Sequence, residues 1–169
     1  MTNLEQLQQA KSNSARRQQL TDWVNSVLAK LLPDLGTPLP LEVVSGDASF
    51  RRYFRVIVDE KAFIAVDAPP DNEDCKNFVR KSNLLLQAGI NAPKVYSADY
   101  VNGFMLLEDF GNDLYLPYLL EAQQSKELDF AENLYRRAID SLVLLQKNID
   151  SGILGSYDRE QLQGEMGLF

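Results

Sequence analysis

The chain has 169 residues, close to one domain by the prior of ~150 residues per domain, and its 45% hydrophobic and 24% charged residues exclude disorder and collagen-like repeats. A formal charge of −7 argues against a general nucleic-acid binder, which needs a clustered basic excess. The single cysteine, Cys75, excludes an intramolecular disulfide, and the lack of histidine removes ordinary His/Cys zinc sites and Ser-His-Asp or Cys-His catalysis, leaving carboxylates, Lys/Arg and backbone groups to carry any chemistry.

Met1 to Gln19 is polar and Gln-rich, without the apolar run of a secretory signal. The longest apolar stretches, Phe63–Val66 and Phe104–Leu107, are far too short to span a bilayer, so the expected location is cytoplasmic with no membrane partner. Leu20, Trp23, Val24, Val27, Leu28 and Leu31 recur at three- and four-residue steps, which predicts a helix over Leu20–Leu32. Pro33 and Gly36 end it, and Pro38 with Pro40 stiffen the connection onward. Leu41–Ser45, Tyr53–Val58 and Ala62–Val66 are short and rich in β-branched or aromatic residues, with breaks at Gly46–Ala48 and Asp59–Lys61. They predict three consecutive antiparallel strands.

Pro69-Pro70 stops the third strand, and Asn72–Gln87 reads as a helix with Phe78 and Leu85 inward, ended by Gly89. Val95–Ala98 and Phe104–Leu107 flank Asn102-Gly103, a hairpin signal. Glu108–Asp113 is a loop containing Gly111, followed by helical stretches at Tyr115–Gln123 and Asp129–Ile149. In the latter, Phe130, Leu134, Ala138, Leu142, Leu145 and Ile149 line one face. Ser156–Glu160 has the pattern of a further helix start with Ser156 as N-cap, and the apolar ending Leu168-Phe169 suggests a piece of a longer protein.

This order of elements resembles the small lobe of a kinase-like phosphotransferase and the start of its large lobe. The runs Gly46-Asp47-Ala48-Ser49-Phe50-Arg51-Arg52-Tyr53-Phe54-Arg55, Val66-Asp67-Ala68-Pro69-Pro70 and Gly103-Phe104-Met105-Leu106-Leu107-Glu108-Asp109-Phe110-Gly111 resemble one branch of the aminoglycoside-phosphotransferase-like family. That branch comprises bacterial N-acetylmuramate/N-acetylglucosamine anomeric kinases of cell-wall sugar recycling. The resemblance implies an α+β fold: a five-stranded antiparallel sheet with a helix, then the first helices of a large lobe. It divides the chain into an N-terminal helix and connection (1–40), the small lobe (41–108), and a hinge with an incomplete helical lobe (109–169).

It also implies a nucleotide, ATP, held by Gly46, Asp47, Ala48 and Ser49, by Arg51, Arg52 and Arg55, and by a hinge at Glu108 and Phe110. Mg²⁺ and a small sugar substrate are implied only for a complete enzyme. Each motif has a plainer alternative. Gly46–Ser49 can let backbone N–H groups approach phosphate or can be an ordinary hairpin turn. Strand alternation puts Arg51 with Tyr53 on one face and Arg52 with Phe54 on the other, with at least one arginine expected in solvent. Which arginine meets phosphate stays open. Where protein kinases end strand three with a phosphate-holding lysine, this chain has Asp67. That residue either belongs to the branch's Asp-Ala-Pro-Pro pattern or simply ends the strand, and the cation must then come from the arginines. Glu73 and Asp74 are expected to cap the following helix dipole. Leu107 and Phe110 can pack on a base or fill core.

The family's catalytic His-x-Asp-x-x-x-x-Asn pattern does not occur in this histidine-free chain. No catalytic or metal-binding residue is therefore assigned, and the chain alone is not expected to transfer phosphate. The alternatives are a non-catalytic module binding a nucleotide or a protein, or a truncated product without activity.

Overall fold

In a computed structural model, described here for residues 3–36, 38–46, 50–153 and 157–167, the strand pattern yields a five-stranded antiparallel sheet. The strands are β1 (Glu42–Gly46), β2 (Arg52–Val58), β3 (Lys61–Asp67), β4 (Val95–Asp99) and β5 (Phe104–Glu108), in spatial order β1-β2-β3-β5-β4. Helix α1 (Asn3–Leu31) precedes the sheet, and α2 (Cys75–Gln87) connects β3 to the β4–β5 hairpin. The chain divides into two compact units, one of residues 1–86 and 91–114, the other of residues 87–90 and 115–169.

In the first unit, alternation along the strands separates two apolar layers. Phe54 and Val56 of β2, Phe63 and Ala65 of β3, and Phe104 and Leu106 of β5 face one way. They bury Leu20, Val24 and Leu28 of α1. The Trp23 ring lies 5.9 Å from that of Phe104. On the other face Val66, Met105 and Leu107 pack with Cys75, Phe78 and Val79 from α2. The helix expected over Leu20–Leu32 starts much earlier, at Asn3. The added turns are polar, so hydrophobic periodicity carries no trace of them. Asn25 fixes the proline-rich connection: its Oδ1 accepts the Leu39 N–H at 2.7 Å and its Nδ2 donates to the Leu39 carbonyl at 3.1 Å.

The β4–β5 connection has four residues, Tyr100–Gly103, rather than the two of a tight Asn-Gly turn. The Asp99 carboxylate accepts the N–H groups of Val101 and Asn102, each at 3.0 Å. Hydrogen bonds from the Asn102 side chain and N–H hold that carboxyl below the usual range. Gly103 has φ +71° and its carbonyl accepts the Ala68 N–H at 2.8 Å, tying the hairpin to the end of β3.

The second unit contains α3 (Tyr115–Ser125), α4 (Leu128–Asn148), a 3₁₀ turn at Ser151–Ile153 and α5 (Arg159–Met166). On α4 the expected stripe is half-covered at Leu134, Ala138 and Leu145, while Phe130 and Leu142 are exposed. The α5 N-cap is Asp158, whose carboxylate accepts the Gln161 N–H at 2.9 Å; the expected cap, Ser156, lies outside the described residues. Among the described residues, no helix is long and apolar enough to cross a membrane.

Candidate functional site

A 520 Å³ cavity opens on the α2 face of the first unit, where the loop after β5 meets the sheet. Its floor is formed by Tyr53 and Arg55 of β2, Ile64 of β3 and Leu107 of β5. Its rim is Val44, Phe78 and Glu108–Gly111. Apolar side chains therefore form most of a surface that ends in irregular backbone, the composition expected for a small-molecule pocket.

The rim loop is held by Arg55. Its Nη2 donates to Asp109 Oδ1 at 3.0 Å and its Nη1 to Asn112 Oδ1 at 3.0 Å. Asp109 Oδ1 also accepts the Gly111 N–H at 2.8 Å. Burial pushes the Asp109 carboxyl up, but Arg55 and the Gly111 N–H outweigh it and hold it below the usual carboxylate range. Gly111 has φ +78°, which lets the loop turn away from the strand after Phe110. Phe110 lines the cavity and is half-exposed. Glu108 closes the end of β5: its N–H donates to the Lys94 carbonyl at 2.8 Å, and its Oε2 accepts the Lys94 N–H at 3.1 Å.

Each of the three arginines after β1 meets a carboxylate, so the expectation that one faces only solvent is not met. Arg51 Nη2 lies 2.7 Å from Glu73 Oε2. Arg52 donates to Asp67 through Nε at 3.0 Å and also through Nη2. Arg55 pairs with Asp109. Arg52 and Asp67 are opposite each other in the β2–β3 register and lie on the α1 face, where Arg16 of α1 donates to the same carboxylate at 2.7 Å. Asp67 is completely buried between these two guanidiniums, which is a structural role that sequence patterning does not disclose. Glu73 lies before α2 and pairs with Arg51 instead of capping the helix; Asp74 does that, its Oδ1 accepting the Asn77 N–H at 2.9 Å.

Gly46 ends β1, paired with Arg52. Asp47, Ala48 and Ser49 lie outside the described residues. The sequence reading missed Arg16, Tyr53 and Phe78. The last two were recognisable only as strand and helix apolar positions, and Arg16 as one more basic residue on a polar segment. Among the described residues, no three Asp, Glu or Cys side chains gather into a group that could hold a metal ion.

Residues 40–161 match the sequence profile of the phosphotransferase enzyme family. An N-acetylmuramate/N-acetylglucosamine kinase of Pseudomonas aeruginosa is 39% identical over 162 residues, covering 94% of this chain and 46% of that protein. Proteins of the same name are similar to it in Pseudomonas putida, 37% identical over 93% of this chain and 45% of that protein, and in Neisseria meningitidis, 33% identical over 91% and 43% respectively. The chain thus spans less than half the length of the curated relatives it matches.

Proposed function

The chain belongs to the phosphotransferase enzyme family, and we propose that it is the nucleotide-binding part of an ATP-dependent kinase acting on a small sugar or amino sugar. In this reading residues 1–40 buttress the sheet, 41–108 form the small lobe, and 109–169 are the hinge and first helices of a large lobe. The similarity to N-acetylmuramate/N-acetylglucosamine kinases supports the sugar. The observation that carries the nucleotide is the cavity between the sheet and the Arg55-held loop. Its apolar floor suits a purine, with Ile64, Leu107 and Phe110 against the ring and hinge backbone at its edge. Gly46–Ser49 and an arginine then meet the phosphates.

Metal and sugar belong to the complete enzyme, which as an ATP user acts in the cytoplasm. What this chain's own residues do is orient the nucleotide. Arg55 and Asp109 tie the hinge to the sheet, and the buried Val66 and Met105 extend the apolar floor along the same face.

Calorimetric or fluorescence titration of ATP into the 169-residue chain tests this. The cavity is open on one side, so contacts are weakened by solvent, and the expected Kd is on the order of 0.1–1 mM. No saturation at several millimolar ATP overturns the nucleotide reading.

A further inference from the structure

Arg51, Arg52 and Arg55 offer three cations near one turn, and their surroundings separate them. Arg52 lies on the α1 face, clasping buried Asp67. Arg55 holds the hinge through Asp109 and Asn112. Arg51 differs in both respects. Its guanidinium sits 5.4 Å from the centroid of Phe78, pairs with Glu73, and is bonded to Tyr53. Phe78 and Tyr53 both line the cavity, so Arg51 lies on the cavity's side of the sheet.

It also lies at the far end from the hinge. Glu108 pairs with Phe63, and Phe63 with Val56, whereas Asp67 pairs with Arg52. Four residues of β2 separate those registers, roughly 13 Å at ~3.3 Å per residue. A nucleotide with its base at the hinge and its chain extended along β2 brings its phosphates towards Arg51.

In kinases a lysine on strand three holds the phosphates and pairs with a helix glutamate. Here β3 presents Val66 to the α2 face, fully buried among Met105 and Cys75, and supplies no cation there. We propose that Arg51 binds the nucleotide's polyphosphate and that Glu73 is its positioning residue, the ion pair having moved from β3 to the chain entering β2. This rests on the nucleotide reading above. A guanidinium has five N–H donors, so a phosphate can share it with Glu73 and Tyr53, and its planar fork suits phosphate contact. The Phe78 ring, 5.4 Å from the Arg51 Cζ, adds a cation–π contact that holds the guanidinium on this face.

The test compares adenosine with ATP on the 169-residue chain and on Arg51→Ala, Arg51→Lys, Glu73→Gln and Arg136→Ala. Arg136 pairs with its exposed helix neighbour Glu132 and controls for one lost positive charge. Arg51→Ala is expected to lose tenfold or more in ATP affinity while adenosine changes less than twofold. Arg51→Lys is expected to recover part of the loss, Glu73→Gln to weaken ATP selectively, and Arg136→Ala to leave both ligands within twofold. ATP affinity of Arg51→Ala within twofold of wild type overturns the assignment, as does an equal loss for adenosine. If Arg51→Ala fails to melt cooperatively, Arg51→Lys decides: an unchanged ratio of ATP to adenosine affinity overturns the assignment. Wild type binding adenosine as tightly as ATP overturns Arg51 but spares the cavity. Wild type binding neither removes the nucleotide reading itself.

Discussion

Arg16 and Asp67, 51 positions apart, are joined by a 2.7 Å Nε–Oδ1 bond, and the same guanidinium donates from Nη2 to the Asn102 carbonyl at 2.6 Å. One side chain of α1 thus joins the end of β3 to the β4–β5 connection. It also lies over the Phe104 ring, 5.1 Å from its centroid, so the charge is carried on an apolar layer.

Removing either partner has unequal consequences. Asp67 is fully buried, and its loss leaves Arg16 and Arg52 facing each other without a counter-charge. Asp67→Ala is expected to cost about 3–5 kcal/mol. Arg16→Ala leaves Asp67 with Arg52 and is expected to cost about 1.5–3 kcal/mol. Urea unfolding checks both; a loss below about 1 kcal/mol for Asp67→Ala contradicts the buried-clasp role.

Gly103→Ala tests the hairpin's attachment. A Cβ there sits 2.0 Å from the Ala68 carbonyl oxygen, a backbone atom, and the residue's φ is +71°. Strain alone costs of order 1–3 kcal/mol, and relieving the clash also breaks the 2.8 Å Ala68–Gly103 bond. Thermal denaturation is expected to show a drop of at least about 2 kcal/mol. A smaller change means that the hairpin can move off β3 without penalty.

The five strands and α2 were legible because each is a short segment whose apolar residues alternate or recur at helical spacing around a turn. Alternation also put Arg52 with Phe54, and that is the face they share. It could not tell which face α1 covers, because that depends on how a distant helix docks. Asp67 illustrates the limit: a carboxylate before Pro69-Pro70 reads as a strand end, and only the arrival of Arg16 from α1 makes it a buried ionic centre. Polar turns of α1 before Leu20 carry no apolar rhythm, and their helicity was missed. The site was legible as a set of motifs. Its chemistry was not, since the carboxylate that each arginine meets is fixed by register and docking.

The Arg55–Asp109 pair gives the loop after β5 a pH dependence. Asp109's folded pKa is depressed, so its contribution is complete above the unfolded value of about 3.9 and is lost as pH falls through the folded value. Arg55→Ala is expected to destabilise by about 1 kcal/mol at pH 7, the scale of a partly screened ion pair, and the difference from wild type is expected to shrink below about pH 4. Denaturant unfolding at pH 7 and pH 3 measures it. A difference that grows on acidification reverses the sign and refutes the ion-pair account.

The last expectation is that the 169-residue chain transfers no phosphate by itself. Phosphoryl transfer depends on positioning the acceptor hydroxyl and on cations spread over the transferring group, functions that kinases give to a catalytic-loop Asp and metal-binding Asn and Asp residues. This chain has no histidine and no His-x-Asp-x-x-x-x-Asn. The arginines near the cavity are matched by carboxylates, Arg51 by Glu73 at 2.7 Å and Arg55 Nη2 by Asp109 at 3.0 Å, an arrangement that leaves an acceptor hydroxyl unactivated. With ATP, Mg²⁺ and N-acetylmuramate, the rate of sugar-phosphate formation is expected to equal that of the buffer. Product formed in proportion to chain concentration, and abolished by Arg51→Ala, contradicts this and places a complete transfer site within residues 1–169.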